Sequence, residues 1–135
     1  MAEQSYKGGC LCGRYRYRIE GPLLPVVHCH CSMCRKSSGA AILSWTGTAS
    51  ENFAWERDEP PLFHSSEQAS RGFCPRCGTQ LCFQYTARPD WNFVSVGSLD
   101  EADGLERGYH LWTSGRLPWI NFDNDLPKYE QGKAR

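Results

Sequence analysis

Gly8-Gly9-Cys10-Leu11-Cys12-Gly13-Arg14-Tyr15-Arg16-Tyr17-Arg18-Ile19 joins two patterns within a few residues. Its first half is a Cys-x-Cys turn flanked by glycines, which let the backbone fold tightly around a metal ion. Its second half alternates charged and apolar side chains with period two, the pattern of a strand with one buried face. A turn that gathers two sulfurs and opens straight into a strand predicts a β domain organised around metal. Gly21-Pro22 ends that strand.

Similar short runs follow along the chain. Pro25 to Cys31 reads as a strand entering a second cysteine turn, and Ala40 to Thr46 as a buried strand. Gln80 to Tyr85 alternates again, with Leu81, Phe83 and Tyr85 expected on one face. Asn92 to Val96 is a further strand. Arg35 to Gly39 predicts one short helical turn. Glu51 to Pro61 is polar and, with its Pro60-Pro61 pair, is expected to contain a loop, and Phe63-His64-Ser65 and Arg71-Gly72-Phe73 lead into a third cysteine turn. Asp100 to Glu106 reads as acidic surface. Tyr109 to Trp112 and Leu117 to Ile120 are expected to close the core, and the last ten residues to fray. Short strands between Gly, Pro and Asn turns, with no helix-length amphipathic stretch, imply an all-β fold in a single domain.

Composition narrows the function classes. The chain has 135 residues, 40% of them hydrophobic, with 5 Trp, 6 Tyr and 6 Phe. That suffices for one modest core. Fifteen Lys and Arg balance 15 Asp and Glu, so the excess positive charge that drives binding to phosphate backbones is missing and no nucleic-acid partner is expected. No apolar segment reaches the ~18 residues of a membrane span, and the first residues lack the apolar core of a secretion signal, so no membrane association and a cytoplasmic location are expected.

Eight cysteines therefore call for a chemical reason. They fall as Cys10-x-Cys12, Cys29-x-Cys31-x-x-Cys34 and Cys74-x-x-Cys77, with Cys82 apart. A disulfide across Cys-x-Cys would close a tiny, strained ring, whereas a tetrahedral metal accepts two thiolates from one tight turn. Cys74-Pro75-Arg76-Cys77-Gly78 is such a turn, supplying two ligands, and Cys10 with Cys12 supplies two more. Residues i and i+2 of an extended chain share a face, so both sulfurs of the first pair can reach one ion. This four-thiolate zinc would be structural, clamping a long loop and offering no open position.

Cys29, Cys31 and Cys34 have no matching pair. Alternation places Cys29 and Cys31 on one face and His28 and His30 on the other. Three thiolates can hold a zinc with its fourth position free, as catalytic zinc sites do. A second structural zinc, completed by Cys82, His28, His30 or His64, satisfies the ligand count equally well. Cys82 also reads as a buried thiol, and His64 and His110 as ordinary loop or core histidines. Arg35-Lys36 beside the thiolates could grip a substrate carboxylate or lie in solvent. Ser37, Ser38 and Gly39 are candidate backbone donors near the site, and Trp45 and Trp55 are candidates for cleft walls or for core.

The three cysteine motifs, in their order, resemble those of the glutathione-dependent formaldehyde-activating enzyme family, which includes centromere protein V. The likeness rests on Gly8-Gly9-Cys10-Leu11-Cys12-Gly13, on His30-Cys31-Ser32-Met33-Cys34-Arg35-Lys36-Ser37-Ser38-Gly39-Ala40 and on Phe73-Cys74-Pro75-Arg76-Cys77-Gly78. His110-Leu111-Trp112, Pro118-Trp119 and Leu126-Pro127 look like its C-terminal signature. It covers residues 5–128, leaving 129–135 as a polar tail.

The resemblance implies a β-tent fold of short antiparallel strands, related to methionine-R-sulfoxide reductases, and two zinc ions. By similarity Cys10, Cys12, Cys74 and Cys77 hold the structural ion, and Cys29, Cys31 and Cys34 the catalytic one. The second ion, with fewer protein ligands, would be the more weakly held and less fully occupied. The implied activity is that of a carbon–sulfur lyase acting on a small thiol adduct: condensation of formaldehyde with glutathione to S-hydroxymethylglutathione. Two other function classes remain compatible with the residues: a zinc module that binds a partner, and a thiol redox protein using Cys82.

Overall fold

The computed structural model describes residues 4–121 and 124–133. In chain order the elements are β1 (Ser5–Gly9), β2 (Arg16–Glu20), β3 (Val26–Cys29), α1 (Ser32–Ser38), β4 (Leu43–Ala49), β5 (Phe53–Trp55), β6 (Leu62–Ser66), β7 (Ala69–Phe73), β8 (Gln80–Tyr85), β9 (Trp91–Ser95) and β10 (Arg107–Leu111). The all-β expectation holds. No helix among the described residues is long and apolar enough to cross a membrane.

The alternation in β2 does what its period requires. Tyr17 and Ile19 are fully buried, while Arg18 and Glu20 face outward. This strand is the centre of a three-stranded antiparallel sheet, β1-β2-β5. Phe53 stacks on the Tyr17 ring at 5.4 Å and Trp55 meets it edge-on at 5.8 Å. The Tyr17 hydroxyl reaches Ser98 Oγ at 2.7 Å. Gly8 lies opposite Tyr17, and a Cβ there would sit 2.4 Å from the phenol oxygen. The first glycine of the opening stretch therefore allows a close approach between strands.

The larger sheet has the order β10-β3-β4-β9-β8-β7-β6. Every pairing is antiparallel except β10 with β3, which run parallel. Buried apolar side chains divide into two clusters. Tyr17, Ile19, Leu81, Val94 and Leu99 pack with Cys10 and Cys74. Leu43 and Trp45 pack with Cys29 and Cys34, flanked by Phe83 and Phe93. Each cysteine group thus rests on its own apolar floor.

The structure departs from the sequence reading in several places. Leu81, Phe83 and Tyr85 do not share one environment, because the β7–β8 register slips between Gly72 and Phe73. This bulge sends Leu81 into the first cluster and leaves Phe83 beside the second, edge-on to Tyr85 at 4.8 Å. The loop expected within Glu51 to Pro61 is present after Trp55, and the same segment also holds β5, whose three residues pair with β2. The helical turn begins three residues early, because Cys31 caps it by accepting the Cys34 N–H. Trp119 is 69% exposed and does not close the core; on that side of the fold buried His110 occupies the interior. Nor does the end of the chain fray throughout: the amides of Trp112, Thr113 and Ser114 donate to Gln131, Tyr129 and Glu130.

Candidate metal centres

All eight cysteines are free thiols, so the disulfide alternative falls. Seven of them form two groups that can each hold a metal ion. Cys10, Cys12, Cys74 and Cys77 make one, and Cys29, Cys31 and Cys34 the other; within each, the sulfurs lie within 4.8 Å of one another. Cys82 joins neither.

The four-cysteine centre brings the turn after β1 against the turn before β8. Cys12 Sγ lies 3.7 Å from both Cys10 Sγ and Cys74 Sγ. A tetrahedron with metal–sulfur bonds of about 2.3 Å has an edge of about 3.8 Å, so the donor set fits zinc. Backbone N–H groups point at the sulfurs: Tyr15 to Cys10 at 3.3 Å and Cys77 to Cys74 at 3.4 Å. Thr79 links the turns, accepting the Leu11 N–H at 3.0 Å while its hydroxyl lies 3.3 Å from Cys77 Sγ. The hydroxyl and the backbone at Thr79 draw the Cys77 thiol down to about 5. Gly78 adopts φ 83°, the left-handed conformation that finishes the turn without strain.

The three-cysteine centre is local. β3 delivers Cys29, and Cys31 and Cys34 bracket the first turn of α1. The Cys34 N–H donates to Cys31 Sγ at 3.2 Å, matching the bond in the other Cys-x-x-Cys turn. Sharing protons with Cys29 and then Cys34 drives the Cys31 thiol far down, while Cys29, whose hydrogen bond to Cys31 favours its protonated form, is driven up. One member of the group ionises readily, which suits a metal site.

His28 and His30 lie across the strand from these sulfurs, as alternation predicts. Because β10 runs parallel to β3, His110 joins them: His30 Nε2 is 2.8 Å from His110 Nδ1, and both rings are buried. His28 Nδ1 is 2.7 Å from Ser44 Oγ. Neither His28 nor His30 completes a metal set with the three sulfurs. His64 stays in its hairpin, 2.6 Å from Ser70 Oγ.

A cleft of about 610 Å3 opens between α1 and the turn that carries Cys74 and Cys77, lined by Lys36, Ser37, Phe63, Arg71, Phe73 and Gly78 among others. Of the Arg35-Lys36 pair only Lys36 faces it; Arg35 Nε is buried without a hydrogen-bond partner. Ser37 contributes its side chain to the wall. Trp45 is core, against Phe83 at 5.7 Å. Trp55 and Cys82 line a separate, smaller cavity of about 260 Å3. Desolvation pushes the Cys82 thiol up to about 12, which leaves it a poor nucleophile.

Sequence reasoning missed Arg71. Only 4% exposed, it donates from Nη1 to Cys34 Sγ at 3.5 Å and Ser37 Oγ at 3.3 Å, and from Nε to Ser65 Oγ at 3.1 Å. Its guanidinium lies 5.1 Å over the Phe83 ring. Nothing in the linear pattern marks this residue, since it lies 37 positions from Cys34.

Two cysteine groups on one small β fold agree with the family comparison. The model of the glutathione-dependent formaldehyde-activating enzyme family matches residues 5–115. The chain belongs to that family. A protein of Schizosaccharomyces pombe named as an uncharacterized lyase is similar to this chain. It is 35% identical over 93 residues, which cover 67% of this chain and 66%, just under two thirds, of that relative. A crystal structure of a Rhodobacter sphaeroides protein matches with a TM-score of 0.57 and 23% identity, over 91% of this chain and 99% of that one. That likeness supports the fold alone.

Proposed function

We propose that the chain is a zinc-dependent carbon–sulfur lyase acting on a small thiol adduct, with S-hydroxymethylglutathione, formed from glutathione and formaldehyde, as the first candidate. The observation that carries this reading is the group of three sulfurs with no fourth protein ligand among the described residues, whose helix α1 also lines the cleft through Lys36 and Ser37. Family membership and the lyase name of the relative support the reaction class.

Cys10, Cys12, Cys74 and Cys77 would hold the structural ion, and Cys29, Cys31 and Cys34 the catalytic one. Zinc at the second group supplies a Lewis-acidic position for a thiolate or a carbonyl oxygen. The protein's own residues do the rest. Cys29, Cys31 and Cys34 would present their sulfurs to the ion, with Arg71 beside Cys34. Lys36 stands in the cleft wall to grip a carboxylate of the thiol substrate. Phe63 and Phe73 cover apolar parts of that substrate and exclude water. In the condensing direction the thiolate sulfur attacks the aldehyde carbon, a carbon–sulfur bond forms, and the former carbonyl oxygen takes up a proton. The lyase direction reverses these steps.

The test is NMR exchange between glutathione, formaldehyde and their adduct in the presence of zinc-loaded protein. The reading predicts exchange faster than in buffer. A rate equal to the uncatalysed background removes this substrate pair.

A further inference from the structure

Arg71 is a guanidinium held almost entirely out of water, and such a charge is costly unless an anion pairs with it. Among the described residues no carboxylate forms an ion pair with it. Its oxygen partners, Ser37 and Ser65, are neutral hydroxyls, and Phe83 offers only a ring face. The remaining partner is Cys34 Sγ at 3.5 Å. The pairing is complete when that sulfur carries negative charge. Nη2 makes no hydrogen bond to the described protein, and the residue lines the cleft.

We infer that Arg71 is the built-in counter-charge of the three-cysteine centre, a positioning residue that makes the centre select an anionic sulfur as its fourth ligand over a neutral donor. The inference rests on the reading that this centre takes a divalent metal ion. Three thiolates and a divalent ion sum to a single negative charge. A further thiolate must approach an already anionic group, which favours neutral ligands such as water or an imidazole. A fixed cation against Cys34 offsets that repulsion, strongly so where water is scarce. Arginine suits the task, since its charge persists at any working pH and its planar fork bonds Cys34, Ser37 and Ser65 together. Lys36, also in the cleft wall, adds a mobile cation for the remainder of the ligand. The ligand class follows: a small thiol that binds through ionised sulfur.

The experiment reconstitutes wild type, Arg71→Gln and Arg71→Lys with cobalt(II) and titrates each with 2-mercaptoethanol and, separately, imidazole. Charge-transfer and ligand-field absorption report the number of thiolates on the metal and the ligand affinity, independently of turnover. Arg71→Gln is expected to weaken the thiol by about tenfold or more, roughly 1.4 kcal/mol per factor of ten, while imidazole changes by less than about threefold. Arg71→Lys is expected to restore most of the thiol preference. Loss of the second cobalt in Arg71→Gln with recovery in Arg71→Lys also supports the inference. Equal weakening of both ligands, an unchanged thiol-to-imidazole ratio, or no recovery with lysine overturns it. Uptake of one cobalt by wild type would sink the metal reading itself; two equivalents with an unchanged ratio would sink the counter-charge alone.

Discussion

The two cysteine centres share a local plan. In each, a Cys-x-x-Cys turn points the second cysteine's N–H at the first cysteine's sulfur, at 3.4 Å for Cys74 and 3.2 Å for Cys31. They differ in what the fold brings across to complete them. The turn at Cys74 meets a second pair of sulfurs, with Cys12 62 positions away. The turn at Cys31 gains Cys29 from the adjoining strand and then, from β7, a buried cation in place of a fourth sulfur. One turn chemistry thus serves two donor sets, four sulfurs in one case and three sulfurs beside a buried cation in the other, and the long-range partner decides which.

The largest expected effect breaks the clamp. Cys74→Ser should leave the chain largely unfolded, because a structural zinc is worth on the order of 10 kcal/mol in small domains, comparable with a domain's whole stability. Circular dichroism and amide NMR dispersion measure this, and a native spectrum would show that the clamp is dispensable. Cys31→Ala should strike the other centre alone: bound zinc falls from two equivalents to one by elemental analysis, adduct exchange drops to background, and the fold survives. Survival of the second zinc would overturn the three-ligand assignment.

Chelator competition sharpens the contrast without mutation. Zinc should leave in two phases, the open centre's ion first, and acidification should release it first as well, since thiolates must take up protons to let go. A single phase would mean that the centres are equivalent. Thr79→Val should weaken zinc at the four-cysteine centre by about tenfold, the usual scale for losing an outer hydrogen bond to a ligand, with the three-cysteine centre keeping its metal. The smallest effect is Tyr17→Phe, which removes the bond to Ser98 beneath the clamp. Urea unfolding should report a loss of about 1 kcal/mol with metal content unchanged.

The cysteine groups were legible because the turn chemistry is local. A Cys-x-x-Cys turn brings its sulfurs together whatever the rest of the chain does, and alternation placed His28 and His30 opposite Cys29 and Cys31 correctly. What could not be read depended on strand pairing. Arg71 looks like any charged residue in a short strand until β7 is set against the centre. His110 joins the histidines through a parallel pairing that no periodicity encodes. Leu81 was placed with Phe83 by strict alternation, and a single bulge undid it. Trp119 fell to a simpler rule, that large apolar side chains must be inside, which runs in one direction only.

The parallel pairing of β10 with β3 also sets a timetable for biosynthesis. A ribosome delivers Cys29, Cys31 and Cys34 early, yet the strand carrying Cys29 has a bare flank until a segment about 80 residues later emerges, the separation seen between His30 and His110. The flank of β3 is thereby closed only in the last steps of folding, after Cys10, Cys12, Cys74 and Cys77 have all emerged.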